Sequence, residues 1–407
     1  MYTRDTVVAL QPFTRQQEGE DVIIGNPAKG VFLAVPPDVV EVLDQLAQGK
    51  SVGEVSDLYL QRTGETPDLA DLLTHLESKG LVEPRSGGPV TRKKAGVPIR
   101  EITFHFGGLP QSIARSLFSY PVFLVEAILL ILACCAIIRY PSLMPMPGDL
   151  VFDHQRAFSW TILTIFTYFG IFLHELAHLV AARAVGVNSR MGISYRLWFL
   201  VAETDLTGLW SVARTQRYLP MLAGLVVDTT LTSILILLLL AEHQHLFSAS
   251  ALAVHLLRAM IFTNLIRISW QFFLFVRTDL YFVAVTFLNC KNLLVDTRVF
   301  IRNHLARLFP RIRSVDQSGI PAAEQRAIRA YAAIFVAGRI WALVTLIWVT
   351  LPVLIGYWDT IVPAVRAGYS ANPSEFLDAL SAATYFLTPT VAGFVVWAGA
   401  HVRPKGA

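Results

Sequence analysis

The sequence predicts a polytopic α-helical membrane protein with a small α+β, winged-helix-like domain at its N-terminus. Two observations carry this prediction. Six apolar runs follow one another between Pro121 and Ala400, each long enough for the roughly 20 residues that a helix needs to cross a bilayer. Ahead of them lies a polar stretch of opposite charge: residues 1–90 hold 14 acidic and 7 basic side chains, leaving 16 acidic and 27 basic of the chain's 30 and 34 for the remainder. Only 16% of all residues are charged and 54% are hydrophobic, whereas soluble domains carry about 25% charge. An ordinary soluble enzyme is excluded.

The first domain, residues 1–90, reads as a hairpin followed by three helices. The runs Asp21–Gly25 and Gly30–Val35 are β-type and flank the turn signal Asn26-Pro27-Ala28-Lys29. Val39, Val42, Leu43 and Leu46 then fall on one helix face, as do Val52, Val55, Leu58 and Tyr59, and again Leu69, Leu72, Leu73 and Leu76. Thr66-Pro67-Asp68 reads as the start of the third helix and Gly80 as its stop. Residues 91–118 form a basic linker and membrane-proximal segment, which Arg92, Lys93 and Lys94 open.

The membrane domain, residues 119–407, is expected to contain spans at Pro121–Ile138, Ala157–Val185, Leu219–Ala241, Ala251–Val276, Ala332–Trp358 and Ala379–Ala400. Arg190, Arg196, Arg214 and Arg217 lie between the second and third. Between the fourth and fifth lie Arg277, Lys291, Arg298, Arg302, Arg307, Arg311, Arg313, Arg326 and Arg329, while the other three loops hold only Arg139, Arg156 and Arg366. Cytoplasmic loops concentrate Lys and Arg. Both termini are therefore expected in the cytoplasm of a multi-pass cell-membrane protein, and the first apolar run begins too late for a cleavable signal peptide. The stretch from Arg298 to Arg313 is expected against the anionic inner leaflet. Cys134, Cys135 and Cys290 match neither a disulfide framework nor a metal clip and are expected as small buried hydrophobes.

Near the cytoplasmic end of the second expected span stands the segment His174-Glu175-Leu176-Ala177-His178. Residues four apart share a helix face, so His174 and His178 can both turn a nitrogen to one metal ion. Glu175 lies about 100° further round, where its carboxylate can reach a metal-bound water rather than the metal. Ionisable groups within a membrane helix are costly and mark function. A catalytic zinc takes a third protein ligand and keeps an open position. Asp279, just past the fourth expected span and at the same membrane depth, is the first choice for that ligand. Asp228, within the third span, is the competitor and is otherwise expected beside the ligands. Zinc suits this donor set, although other divalent ions share it. A di-iron oxidase fails on inventory, because only this pair of histidines has ligand spacing on a span.

The segment His174–Val187, followed far downstream by an aspartate, resembles the site-2 protease family of intramembrane zinc metalloproteases over about residues 157–290. The resemblance implies zinc held by His174, His178 and Asp279, with Glu175 activating water. Asn264 is similar to an asparagine that the family places beside its active site, and the Leu222–Asp228 segment looks like the family's AGP-type segment. Ala177 stands where the family has glycine, and Thr278-Asp279-Leu280 where it has LDG. No proline lies between Asn264 and Asp279. The stretch Glu203–Gly224, with Asp205, Trp210 and Arg217, looks like the peptide zinc metalloprotease branch, in which a PqqD-like domain often precedes the membrane part. That implies a head that binds a precursor peptide by adding it as a strand.

The function expected is hydrolysis of a peptide, such as a ribosomally made modified precursor, at the cytoplasmic side of the bilayer. Other peptide-maturation or export proteins are candidate partners. The alternative is a non-hydrolytic zinc-binding membrane subunit for peptide maturation or export. Nucleic acid is not expected, because an acidic head lacks the clustered Lys and Arg that phosphate binding needs.

Overall fold

The computed structural model of the chain describes residues 2–27, 29–83, 104–105, 108–196, 199–290, 292–309 and 311–402. Most of the linker expected at 91–118 lies outside the described residues.

The head is a three-stranded antiparallel meander, β1 (Thr14–Glu18), β2 (Asp21–Asn26) and β3 (Val31–Val35), followed by helices α1 (Pro37–Ala47), α2 (Val52–Thr63) and α3 (Leu69–Ser78). β2 and β3 are the expected hairpin. β1 was not expected, because Thr14-Arg15-Gln16-Gln17-Glu18 is a polar edge strand with no apolar face for periodicity to reveal. Ile24 of β2, Leu43 and Leu46 of α1, Val55 of α2 and Leu73 and Leu76 of α3 share one core. Ser51 and Glu54 start α2 with a reciprocal capping box, and Asp68 caps α3 through the Asp71 N–H at 3.0 Å. Gly80 follows the end of α3 with φ +72°, a conformation that side chains disfavour.

Among the described residues the remainder is helical apart from one small sheet and the connecting turns. In chain order come β4 (Phe104–His105), α4 (Gln111–Leu117), α5 (Tyr120–Arg139), α6 (Arg156–Ala184), β5 (Arg190–Arg196) and β6 (Phe199–Asp205). A 3-10 turn, Thr207–Ser211, leads into α7 (Arg214–His243). Then follow α8 (Ala251–Trp270), α9 (Asp279–Leu288), α10 (Leu293–Leu308), α11 (Ala322–Thr345), α12 (Leu351–Ala367) and α13 (Pro373–Val402). Among the described residues five helical stretches are long and apolar enough to cross a membrane: Gln111–Arg139, Arg156–Ala184, Arg214–His243, Ala251–Trp270 and Ala322–Ala367. The sixth expected span falls within α13 and is not among these five. Leu124, Val125, Ile128, Ile131 and Leu132 of α5 point outward, as do Ile340, Trp341 and Leu343 of α11. Apolar exposure of that kind suits lipid rather than water.

Three expectations are corrected. The fourth span ends at Trp270 rather than Val276, because the chain turns there before α9 begins. The segment between α6 and α7 is not a simple loop: β5 and β6 form an antiparallel hairpin, with β4 paired to the outer side of β5. Cys134 and Cys135 are exposed on α5, and only Cys290 is buried.

α7 packs against α5, α6, α8 and α9 and so organises the body. Small residues let α6 and α7 approach closely, with Ala177 and Ala181 against Ala223. At the far end, Asp378 of α13 accepts from the free N–H groups of Arg156 and Ala157 at 3.0 and 2.9 Å, capping α6 from another helix.

Candidate metal centre

The register of α6 turns His174 and His178 inward to α7, and both are buried. Their Nδ1 atoms are tied to fixed groups. His178 Nδ1 lies 2.6 Å from the Pro220 carbonyl, and His174 Nδ1 lies 2.9 Å from Asp228 Oδ2. A carbonyl oxygen only accepts, so His178 must carry its proton on Nδ1, and the same tautomer serves His174 against the carboxylate. In its neutral form each ring then presents a bare Nε2 lone pair, the form that binds a metal. The two Nε2 atoms are 3.1 Å apart, and Asp279 Oδ2 lies 3.0 Å from that of His174 and 3.3 Å from that of His178. With both rings neutral, these three acceptors stand close enough to share one cation, a proton or a metal ion.

The spacing fits a metal. Ligand atoms around a tetrahedral zinc with bonds of 2.0–2.1 Å stand about 3.3 Å apart. The space beside them is kept open by Gly224 of α7: a Cβ there would sit 2.5 Å from Nε2 and Cε1 of His174 and 2.6 Å from Nε2 of His178. His174, Glu175 and His178 also bring ligand-type atoms within 4.8 Å of one another.

The structure brings Asp279 to the histidines by a turn rather than by a span. Gln271 follows α8 at once; its carbonyl accepts from Thr278 Oγ1 at 2.9 Å, and its side-chain oxygen accepts from the Asp279 N–H at 3.1 Å. Asp279 then starts α9, where it faces the imidazoles. Asp228 is on the other side of His174 and reaches its Nδ1, not the shared point. Asn264, completely buried, donates to the Asp228 carbonyl at 2.9 Å and to Thr232 Oγ1 at 2.7 Å, which joins α8 to α7.

Glu175 meets the hairpin. Its Oε2 accepts from Thr204 N–H at 2.8 Å and lies 2.7 Å from Thr204 Oγ1. Thr204 is on β6, an edge strand, so this N–H is available to the carboxylate. The next residue, Asp205, turns back on the Thr207 hydroxyl and N–H and on Arg190. Burial opposes the Asp205 charge, but those partners outweigh it and hold the carboxyl below its ordinary value. Trp210 and Arg217, the other members of the motif, anchor the head. The Arg217 guanidinium is fully buried, lies 4.7 Å from the Trp210 ring centre, and holds both oxygens of Glu18 at 2.8 and 3.1 Å.

Thr204, Pro220 and Gly224 were missed in the sequence. Only Gly224 carried a signal, through its place in the Leu222–Asp228 segment. Two polar residues of α8 outside the centre have structural partners: His255 stacks on Phe152 with ring centres 4.5 Å apart, and Arg258 donates to the Ser142 carbonyl. A second group of ligand types, Cys290, Asp296 and Glu324, also lies within 4.8 Å. There the thiol donates to Glu324 at 3.4 Å, and burial, then Glu324, pushes it up to about 12.

No protein-family model matches the chain, and neither the curated proteins nor the solved structures contain a match.

Proposed function

We propose that the chain is an intramembrane zinc metallopeptidase that cleaves a peptide, such as a modified precursor, at the cytoplasmic side of the bilayer. The observation that carries this reading is the convergence of His174 Nε2, His178 Nε2 and Asp279 Oδ2 beside the Glu175 carboxylate. These three atoms would hold the zinc, which when bound supplies a Lewis acid and an acidified water.

The protein's own groups divide the remaining work. Thr204 engages Oε2 of Glu175, while Oε1 has no bond among the described residues. That free oxygen is the atom to take a proton from water and return it to the departing amine. Asp228 and the Pro220 carbonyl fix the imidazole tautomers, and Gln271 fixes the backbone at Asp279. The head, clamped through Glu18, would recognise the peptide, with both termini in the cytoplasm and the helical body in the lipid.

The test compares cleavage of a candidate precursor peptide by wild type, chelated wild type and Glu175→Gln, with zinc content measured for each. The proposal expects cleavage by wild type alone and unchanged zinc in Glu175→Gln. Equal cleavage by wild type and Glu175→Gln rejects it. Zinc in the wild type without cleavage of any genuine precursor, together with export that depends on the chain, favours the non-hydrolytic subunit.

A further inference from the structure

Asp228 is completely buried midway along α7, and both its oxygens are engaged. Oδ2 faces His174 Nδ1. Oδ1 accepts two bonds from Arg267 of α8, from Nη2 at 2.7 Å and Nε at 3.1 Å. Asn264, one turn earlier on α8, holds the backbone carbonyl of the same aspartate. One helix thus grips Asp228 at both its main chain and its side chain.

The arginine reaches Asp228 past α6. Gly170 lies one turn before His174 on the same helix face. A Cβ at Gly170 would lie 2.2 Å from Arg267 Nη1 and 2.9 Å from Cζ and Nη2. The guanidinium therefore occupies the space that any other residue at 170 would fill. We propose that Arg267 is a positioning residue of the metal centre, which fixes His174 through Asp228, and that Gly170 is the notch that admits its guanidinium.

The physical reason is orientation. A carboxylate with one oxygen free can rotate about its last bond and carry the imidazole with it. Two bonds from a planar guanidinium to Oδ1 lock that rotation and leave Oδ2 to the histidine. The cation also compensates a carboxylate that would otherwise stand alone in an apolar interior. A simple ion pair joining α7 to α8 would need neither the histidine on the second oxygen nor the glycine on α6.

The inference rests on the metal-centre reading, and its test is metal binding rather than cleavage. The dissociation constant for Zn2+ is measured by competition with a chromophoric chelator, and the visible absorption of the Co2+-loaded protein reports ligand geometry. Arg267→Gln is expected to weaken Zn2+ binding about 10- to 100-fold, the usual effect of losing an outer partner of a ligand, and to change the Co2+ spectrum. Arg267→Lys should recover part of both. Gly170→Ala should resemble Arg267→Gln, because the end of a flexible side chain is what yields. Adding Arg267→Gln to Asp228→Asn should weaken binding no further than Asp228→Asn alone.

Wild-type affinity and spectrum in Arg267→Gln, with only a lower melting temperature, would overturn the inference and leave the metal centre standing. Additive losses in the double variant would overturn it as well. If Arg267→Gln does not fold, Gly170→Ala and Arg267→Lys decide, and wild-type affinity in both overturns it. A wild-type chain that binds no Zn2+ fails the underlying reading instead.

Discussion

Gly224 offers the sharpest perturbation of the centre that avoids its ligands. Adding one methyl group, Gly224→Ala, puts a carbon 2.5 Å from His174 Nε2, where ordinary contact begins at 3.4 Å. The rings have nowhere to swing, because His178 Nδ1 is held by Pro220 and His174 Nδ1 by Asp228. Either α7 retreats or the Nε2 atoms leave their common point. Overpacking of this kind costs about 1–3 kcal/mol. A bound metal fixes both Nε2 atoms at one point, so the strain falls on the bound state and the Zn2+ dissociation constant rises about 5- to 150-fold. Chelator competition on the purified protein measures it, and Gly148→Ala, which meets nothing within 4 Å, is the control. A Gly224→Ala constant within a factor of about two of the wild type would refute the claim that the metal sits at this crossing of α6 and α7.

Three further outcomes are expected. Glu18→Ala leaves the buried Arg217 guanidinium unpaired, a loss of about 3–5 kcal/mol that should appear as faster hydrogen exchange in β1 and β2, and Glu18→Leu with Arg217→Leu should recover protection; unchanged exchange in Glu18→Ala would refute the clamp. The depressed Asp205 carboxyl contributes stability that is fully present above the ordinary aspartate value near 3.9 and is lost as pH falls through its lower folded value. Thermal melts should therefore show Asp205→Asn less stable than wild type at neutral pH, with the gap closing only in strong acid, and a gap that is constant with pH would contradict this. Cys290, pushed up to about 12 by burial and Glu324, should resist iodoacetamide at pH 8 in the folded protein and react once the chain is unfolded, as peptide mapping by mass spectrometry would show; equal labelling of both states would contradict this.

How much of this was legible in the residues depends on what each contact needs. His174, Glu175 and His178 announce themselves because helical periodicity alone puts the two histidines on one face. The head was readable because its helices keep an apolar stripe and its turns use proline and glycine. β1 was not readable, since a polar edge strand is defined by its neighbour rather than by its own pattern. The β5–β6 hairpin was hidden by its place between two long apolar helices, where its short strands do not stand out. Asp279 was expected from its place just past the fourth span, yet the turn that carries it to the histidines depends on Gln271, whose two bonds exist only once α8 has ended at Trp270. Asp228 illustrates the remaining ambiguity. Sequence placed it near the centre, but which imidazole nitrogen it meets is a property of helix rotation between α6 and α7.

The account's central claim is a metal bound by His174, His178 and Asp279. X-ray absorption at the zinc edge of the purified full chain, with metal content counted on the same sample, tests it most directly. The account predicts one zinc per chain with nitrogen and oxygen neighbours alone at about 2.0–2.2 Å, lost in His178→Ala. A sulfur neighbour at about 2.3 Å, which would move the metal to Cys290, or zinc retained in full by His178→Ala, would contradict it.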